Sequence, residues 1–295
     1  MAAYKESLSS RIFDVFNTLF MIFIIVIMLY PFLHVIALSL SETSEIMKGN
    51  VNIIPRGFNV EGYKLILTSP QLWIAYKNTI IYAVLGTFIT LLFTSLMAYP
   101  LAINDFVAKK FITVYLTITM FFSGGLIPTF LLIRNLGLIN TIWVMVLPGC
   151  VSAYNVVVFR TFFQGISPEL RESAYLDGAN DFIILFAIIL PLSKALLATF
   201  GLFSMVGHWN SWFDALIYLN EEKKYPIQMI LRKILFVSNA SAANDAAQVM
   251  IESRLVHPKN IQMAVIVVTI APIMCVYPFL QKYFVQGVMI GSIKG

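Results

Sequence analysis

The chain has 295 residues, 59% of them hydrophobic and 12% charged, with a formal net charge of +5 and a mean hydropathy of +0.83. A soluble domain carries about a quarter charged residues, so this composition excludes an ordinary soluble protein and implies one that lives among membrane lipid. The positive charge is dispersed, without a basic block or a basic strip interleaved with aromatics, so no nucleic-acid partner is expected.

The first apolar run, 15–38, follows a short segment, 1–14, that carries Lys5 and Arg11. It is long enough to span about 30 Å of hydrocarbon and no small-residue cleavage site follows it, so an uncleaved anchor is expected. Tyr30 and Pro31 predict a kink, and His34 near the far end reads as hydrogen-bonded structure rather than a ligand. Further spans are predicted at 78–103, 111–133, 141–159, 195–219 and 261–280, separated by a mixed-charge connection at 39–77, a loop at 160–194 and a long charged connection at 220–260. The result is an all-α polytopic membrane fold of about six transmembrane helices within 15–283, closed by a tail, 284–295, expected to run along an interface.

Inside these spans, FFSGGLIP at 121–128 predicts a broken or bent helix, because Pro128 removes a backbone donor and Gly124 and Gly125 weaken local helicity. Such a break is either structural or lines a path through the membrane. Trp209 and Trp212 in HWNSWFD read as interfacial anchors or as a stacking surface for the apolar face of a sugar ring. Polar side chains at Asn78, Thr119, Ser123, Tyr154, Asn155 and Asn210 are candidates for lining a substrate path or for hydrogen bonds between helices. After Pro226, Ile227, Ile230, Leu231, Ile234 and Leu235 recur at helical spacing while Arg232 and Lys233 face away, which predicts an amphipathic helix; a second polar helix is predicted at 245–256. Cys150 and Cys275 fall in apolar runs and read as small hydrophobes. With alternating spans, Lys109, Lys110, Arg160, Arg171 and Lys194 share one side, while the short loop on the other carries only Arg134. Both termini and the 160–194 loop are therefore expected in the cytoplasm, with 39–77 and 220–260 outside.

One polar island stands out. PELRESAYLDGANDFIILFAIILP, residues 168–191, carries Glu169, Arg171, Glu172, Asp177 and Asp181 between hydrocarbon-loving flanks. Ser167 suits a helix N-cap, Pro168 the first helical position and Glu169 the positive end of the helix dipole. Gly178 is placed to stop that helix at positive φ, and Asn180 and Asp181 to cap a second one beginning near Phe182. The expected product is a rigid knuckle at a glycine corner.

From Glu172 the order is Glu, Ser173, Ala174, three residues, Gly178, nine residues, Ile188, one residue, Leu190, Pro191. It resembles the EAA loop of the membrane-spanning subunits of ABC importers, with Ser173 in place of the middle alanine. NTIIYAVLGT, GHWNSWFDALIYL and the closing VYPFLQKYFVQGVMIGSIKG extend the resemblance over nearly the whole chain, to maltose-transporter-like carbohydrate permeases of type I fold. Within these, the subgroup associated with oligosaccharides such as aldouronates and alginate is the most similar. The resemblance implies a bacterial cell-membrane location, a second homologous permease subunit, two ATPase subunits and an extracytoplasmic sugar-binding protein. It also implies that Glu172, Ser173 and Ala174 form the face docked on an ATPase, with Asp177 beside it, Gly178 the corner, and Ile188, Leu190 and Pro191 the packed return.

What is missing points the same way. There is no G-x-x-x-x-G-K-[ST] loop and no H-E-x-x-H, so the chain is not expected to hydrolyse ATP or to bind a cofactor; ATP and Mg would be used by the partner subunits. The spans read as free of Asp, Glu, Lys and Arg, which argues against drive by an ion gradient and so against the alternative of a self-sufficient secondary transporter. A membrane enzyme or a purely structural subunit finds no catalytic constellation and no long binding tail.

Overall fold

The computed structural model describes residues 8–237 and 258–292; the helix expected at 245–256 lies outside them. The described residues are mostly helical and contain no strand, only an isolated bridge between Ser41 and Phe58. Hydrocarbon offers the backbone no hydrogen-bond partner, and the helix is the form in which a single segment satisfies its own. Among the described residues, three helices are long and apolar enough to cross a membrane alone, and a bent pair, Asp181–Leu192 with Lys194–Trp209, passes that test together. The chain forms two compact units, 1–69 with 233–271 and 70–232 with 272–295.

In the first unit, α1 (Leu8–Ser39) runs for 32 residues with Pro31 inside it. At about 1.5 Å per residue this exceeds the hydrocarbon thickness. Most of its apolar side chains are exposed, so they need lipid or another protein around them. His34 Nδ1 lies 2.7 Å from the Asn52 carbonyl and its ring stacks on Tyr30, which makes it the structural histidine expected. Two short helices, α2 (Thr43–Met47) and α3 (Glu61–Leu67), follow. Ala37 and Leu38 pack with Ile46 and Val51 in a small core.

That core is pinned by a residue from far along the chain. Asn260, in the first turn of the helix Pro258–Ser292, is 1% exposed, and its Nδ2 donates toward the carbonyls of Leu38, Ser39 and Ser41 at 3.0–3.2 Å. Gly62 makes room for it: a β-carbon there would lie 2.1 Å from Asn260 Oδ1.

The second unit is built on α4 (Pro70–Ala102), against which α7 (Ala153–Gln164) and α10 (Lys194–Trp209) pack. Gly86 of α4 faces the His208 ring, where a β-carbon would stand 2.4 Å from Nε2. Three expected spans are interrupted. The 111–133 segment is α5 (Lys109–Phe121) and α6 (Leu126–Asn135), parted at 122–125 with Gly125 at φ +79. The 141–159 segment holds a 3-10 turn, Ile142–Met145, then irregular chain through Pro148 and Gly149 before α7. The 195–219 segment is α10 and the short α11 (Phe213–Tyr218). Between α7 and α10 lie α8 (Pro168–Leu176) and α9 (Asp181–Leu192).

The amphipathic helix appears as α12 (Ile227–Val237), held at its start by burial of Ile227 and Met229. The preceding loop is clamped onto α4: Asn78 Nδ2 donates to the carbonyls of Lys223 and Tyr225, Tyr82 Oη to that of Lys224, and Ile227 N to Thr79 Oγ1. The last helix, α13 (Pro258–Ser292), continues through the 261–280 span into the expected tail instead of ending at 280.

Gly62→Ala is expected to destabilise the chain by about 1–3 kcal/mol through overpacking against Asn260. The same change made in an Asn260→Ala background should cost much less. Thermal unfolding of the four purified forms of this cycle checks the coupling, and additive effects would contradict it.

Candidate functional site

The polar island folds as its residues dictate. Ser167 occupies the N-cap, outside the helical region at φ −55 and ψ 128, but makes no side-chain capping bond, and Pro168 opens α8. The helix ends in a Schellman turn: Gly178 N bonds to the Tyr175 carbonyl at 3.0 Å and Ala179 N to that of Ala174 at 2.9 Å, with Gly178 at φ +83. Asn180 then caps α9, its Oδ1 accepting from Ile183 N at 2.9 Å. Residues Leu185–Ile189 of α9 form a π turn just before Pro191, which has no N–H to bond to the Ala187 carbonyl. At Ser193, whose Oγ bonds back to the Ile189 carbonyl, the chain turns through 84° into α10.

The corner has two faces. Inward, Ala174, Ile184, Leu185 and Ile189 join Ala98, Tyr99 and Leu101 of α4 and Val156, Phe159 and Phe163 of α7 in one core, with Ile188 and Leu190 half-buried against it. Outward lie Glu172, Ser173 and Asp177. Ala174 was expected on the outward face, but it is 8% exposed and packs within the chain's own core. Its place outside is taken by Leu176, 90% exposed at the tip of α8. Pro191 is exposed rather than packed.

Four polar residues tie the corner together. Tyr175 Oη and Tyr99 Oη, the latter at 3.1 Å, both donate to Oδ1 of Asp181, and the Arg171 guanidinium lies over the Tyr175 ring at 5.3 Å. The hydrogen bond to the Asp181 carboxylate, with some burial, raises the Tyr175 pKa above the usual phenol value, so Tyr175 stays a donor. Tyr99 and Tyr175 carried no sequence signal as a pair, since they lie 76 positions apart.

The residues considered for a substrate path are distributed over three breaks. Ser123 is exposed between α5 and α6, its Oγ accepting from Gly125 N at 3.3 Å. Tyr154, 61% exposed, and half-buried Asn155 open α7. Asn210 and half-buried Trp212 sit between α10 and α11, where Gln228 Nε2 donates to Asn210 Oδ1 at 3.0 Å and the Arg232 guanidinium covers the Trp212 ring at 3.7 Å. Trp209 is buried beside Tyr76 and is a packing residue instead of an open stacking face. Asn78 is taken up by the α4 clamp, and Thr119 Oγ1 bonds back to its own helix at Leu116. The 195–219 segment is also not free of ionisable groups: Asp214 lies in the first turn of α11, with Ser211 Oγ donating to it at 3.5 Å.

Fold and site together define a class: a polytopic helical membrane protein that carries one rigid, outward-facing polar corner between apolar helices. The chain belongs to the family of binding-protein-dependent transport system inner membrane components, whose profile matches residues 73–290. It is 39% identical to protein LplC of Bacillus subtilis (strain 168), covering 97% of this chain and 96% of that one. It is 38% identical to the polygalacturonan/rhamnogalacturonan transport system permease protein YtcP of the same organism, over 98% of this chain and 100% of the relative. Its fold is similar, with a TM-score of 0.88 and 31% identity over 96% of this chain and 100% of the other, to a chain in the crystal structure of a bacterial ABC transporter involved in the import of the acidic polysaccharide alginate.

A β-carbon at Gly178 would meet nothing within 4 Å, so only the positive φ excludes a side chain there. Gly178→Val is expected to cost about 1–3 kcal/mol. Gly178→Asn should be milder than Gly178→Ala, because asparagine tolerates the left-handed region. Thermal unfolding of the three variants checks this, and a ranking by side-chain size would contradict it.

Proposed function

We propose that this chain is a permease subunit of an ATP-driven importer in a bacterial cell membrane, forming with a second permease the path for an oligosaccharide. Its corner at 168–191 docks on a cytoplasmic ATPase subunit. The observation that carries the reading is the outward face of the corner: Glu172, Ser173 and Asp177 around a bare Leu176, on a helix fixed to the core from behind. A leucine so exposed beside acidic and small residues suits a cleft on another protein. Both termini and the corner lie in the cytoplasm on this reading, and the six crossings of the membrane include three interrupted ones.

The carbohydrate class is supported by the relatives, one named for polygalacturonan and rhamnogalacturonan and one for alginate import. ATP and Mg are handled by the partner ATPases, and this chain binds no cofactor. The path is assigned to the breaks at Ser123, Tyr154 with Asn155, and Asn210 with Trp212. Exposed non-helical backbone such as 122–125 is tolerated at membrane depth only where protein covers it or water reaches it. A self-sufficient secondary transporter is disfavoured by membership of a family whose transport systems depend on a binding protein.

The tagged chain, solubilised gently from its native membrane, should bring with it a second permease and an ATPase. A Glu172→Arg, Leu176→Asp variant should lose the ATPase alone. Recovery of the chain by itself in both forms would overturn the reading.

A further inference from the structure

We propose that Asp181 is a positioning residue that makes the corner and α4 move as one body. The inference rests on the docking role of the corner and assigns how a displacement there reaches the membrane.

The two phenols reach the carboxylate from different helices. Tyr175 belongs to α8, on the side that bears the exposed face, and Tyr99 belongs to the last turns of α4, its ring 6% exposed in the core. Both donate to one oxygen, Asp181 Oδ1, at the start of α9. Apolar contacts seat the corner on α4 but are non-directional and do not by themselves fix its register. A hydrogen bond to a carboxylate weakens steeply as its angle opens, so it fixes register. Two such bonds on one atom place α8, the glycine corner and α4 in a single chain of constraint. Because α4 also packs along α7 and α10, whatever turns α4 turns the helices around it. The bonds act in series, so cutting either one should have the effect of cutting both.

The test uses the assembled importer, with its second permease and ATPases, and reads hydrogen exchange with and without ATP plus vanadate, probes that need no knowledge of the sugar. In the parent, trapping should slow exchange in α8 and in residues 98–102 of α4. In Tyr99→Phe the α8 response should persist while the α4 response falls by about tenfold, the factor carried by one hydrogen bond to a charged group. Tyr175→Phe should match it, and the double variant should be no worse than either single one. Asp181→Asn, which keeps an acceptor oxygen, should retain the α4 response, and Asp181→Leu should lose it. An undiminished α4 response in Tyr99→Phe, or additive losses in the double variant, would overturn the clasp while leaving ATPase docking intact. Absence of any α8 response in the parent would instead overturn the docking role itself.

Discussion

Backbone polar groups find no partner in hydrocarbon, and the architecture of this chain is organised by that constraint. Where the chain runs as α1, α4 and α13, the helix meets nearly all of its own backbone bonds, the internal prolines excepted, and the side chains can be largely apolar. Where it breaks, at 122–125, at 146–152 and at 210–212, the freed groups have to be met by other parts of the protein or by water. Gly125 and Gly149, both at positive φ, allow the chain to leave the helix there without strain.

The corner at 168–191 solves a different problem. On the proposed docking role the corner is a surface that is pushed, and such a surface needs its backbone bonds closed and its rear face buried. The Schellman turn and the Asn180 cap do the first. Ala174, Ile184, Leu185 and Ile189 do the second, seating the corner on α4 and α7. The alanine of the motif is small because it must fit beneath the helix, between α8 and the core. The glycine is fixed by its φ, and the leucine that follows the alanine by two places is free to face a partner.

Much of this was legible in the sequence. Composition dictated helices and a membrane, and the spacing from Glu172 to Pro191 located the corner, its glycine and its second cap. Other features were not legible, for identifiable reasons. A small residue is equally suited to packing against its own chain or another, so Ala174 could not be assigned a side from its type. The break inside FFSGGLIP was legible from its two glycines and Pro128, but hydropathy averaged over a span hid the irregular chain at 146–152. Long-range hydrogen bonds leave no local trace: Asn260 reaches Leu38 across 222 positions and Tyr99 reaches Asp181 across 82.

The proposed contact between the outward face of α8 and an ATPase can be probed in the intact membrane. The most direct measurement is site-directed crosslinking in native membranes, after Cys150 and Cys275 have been replaced by alanine. A cysteine placed at Leu176 should crosslink to the ATPase subunit, and one placed at the buried Ala174 should not. No ATPase adduct from position 176, or equal adducts from both positions, would contradict the account.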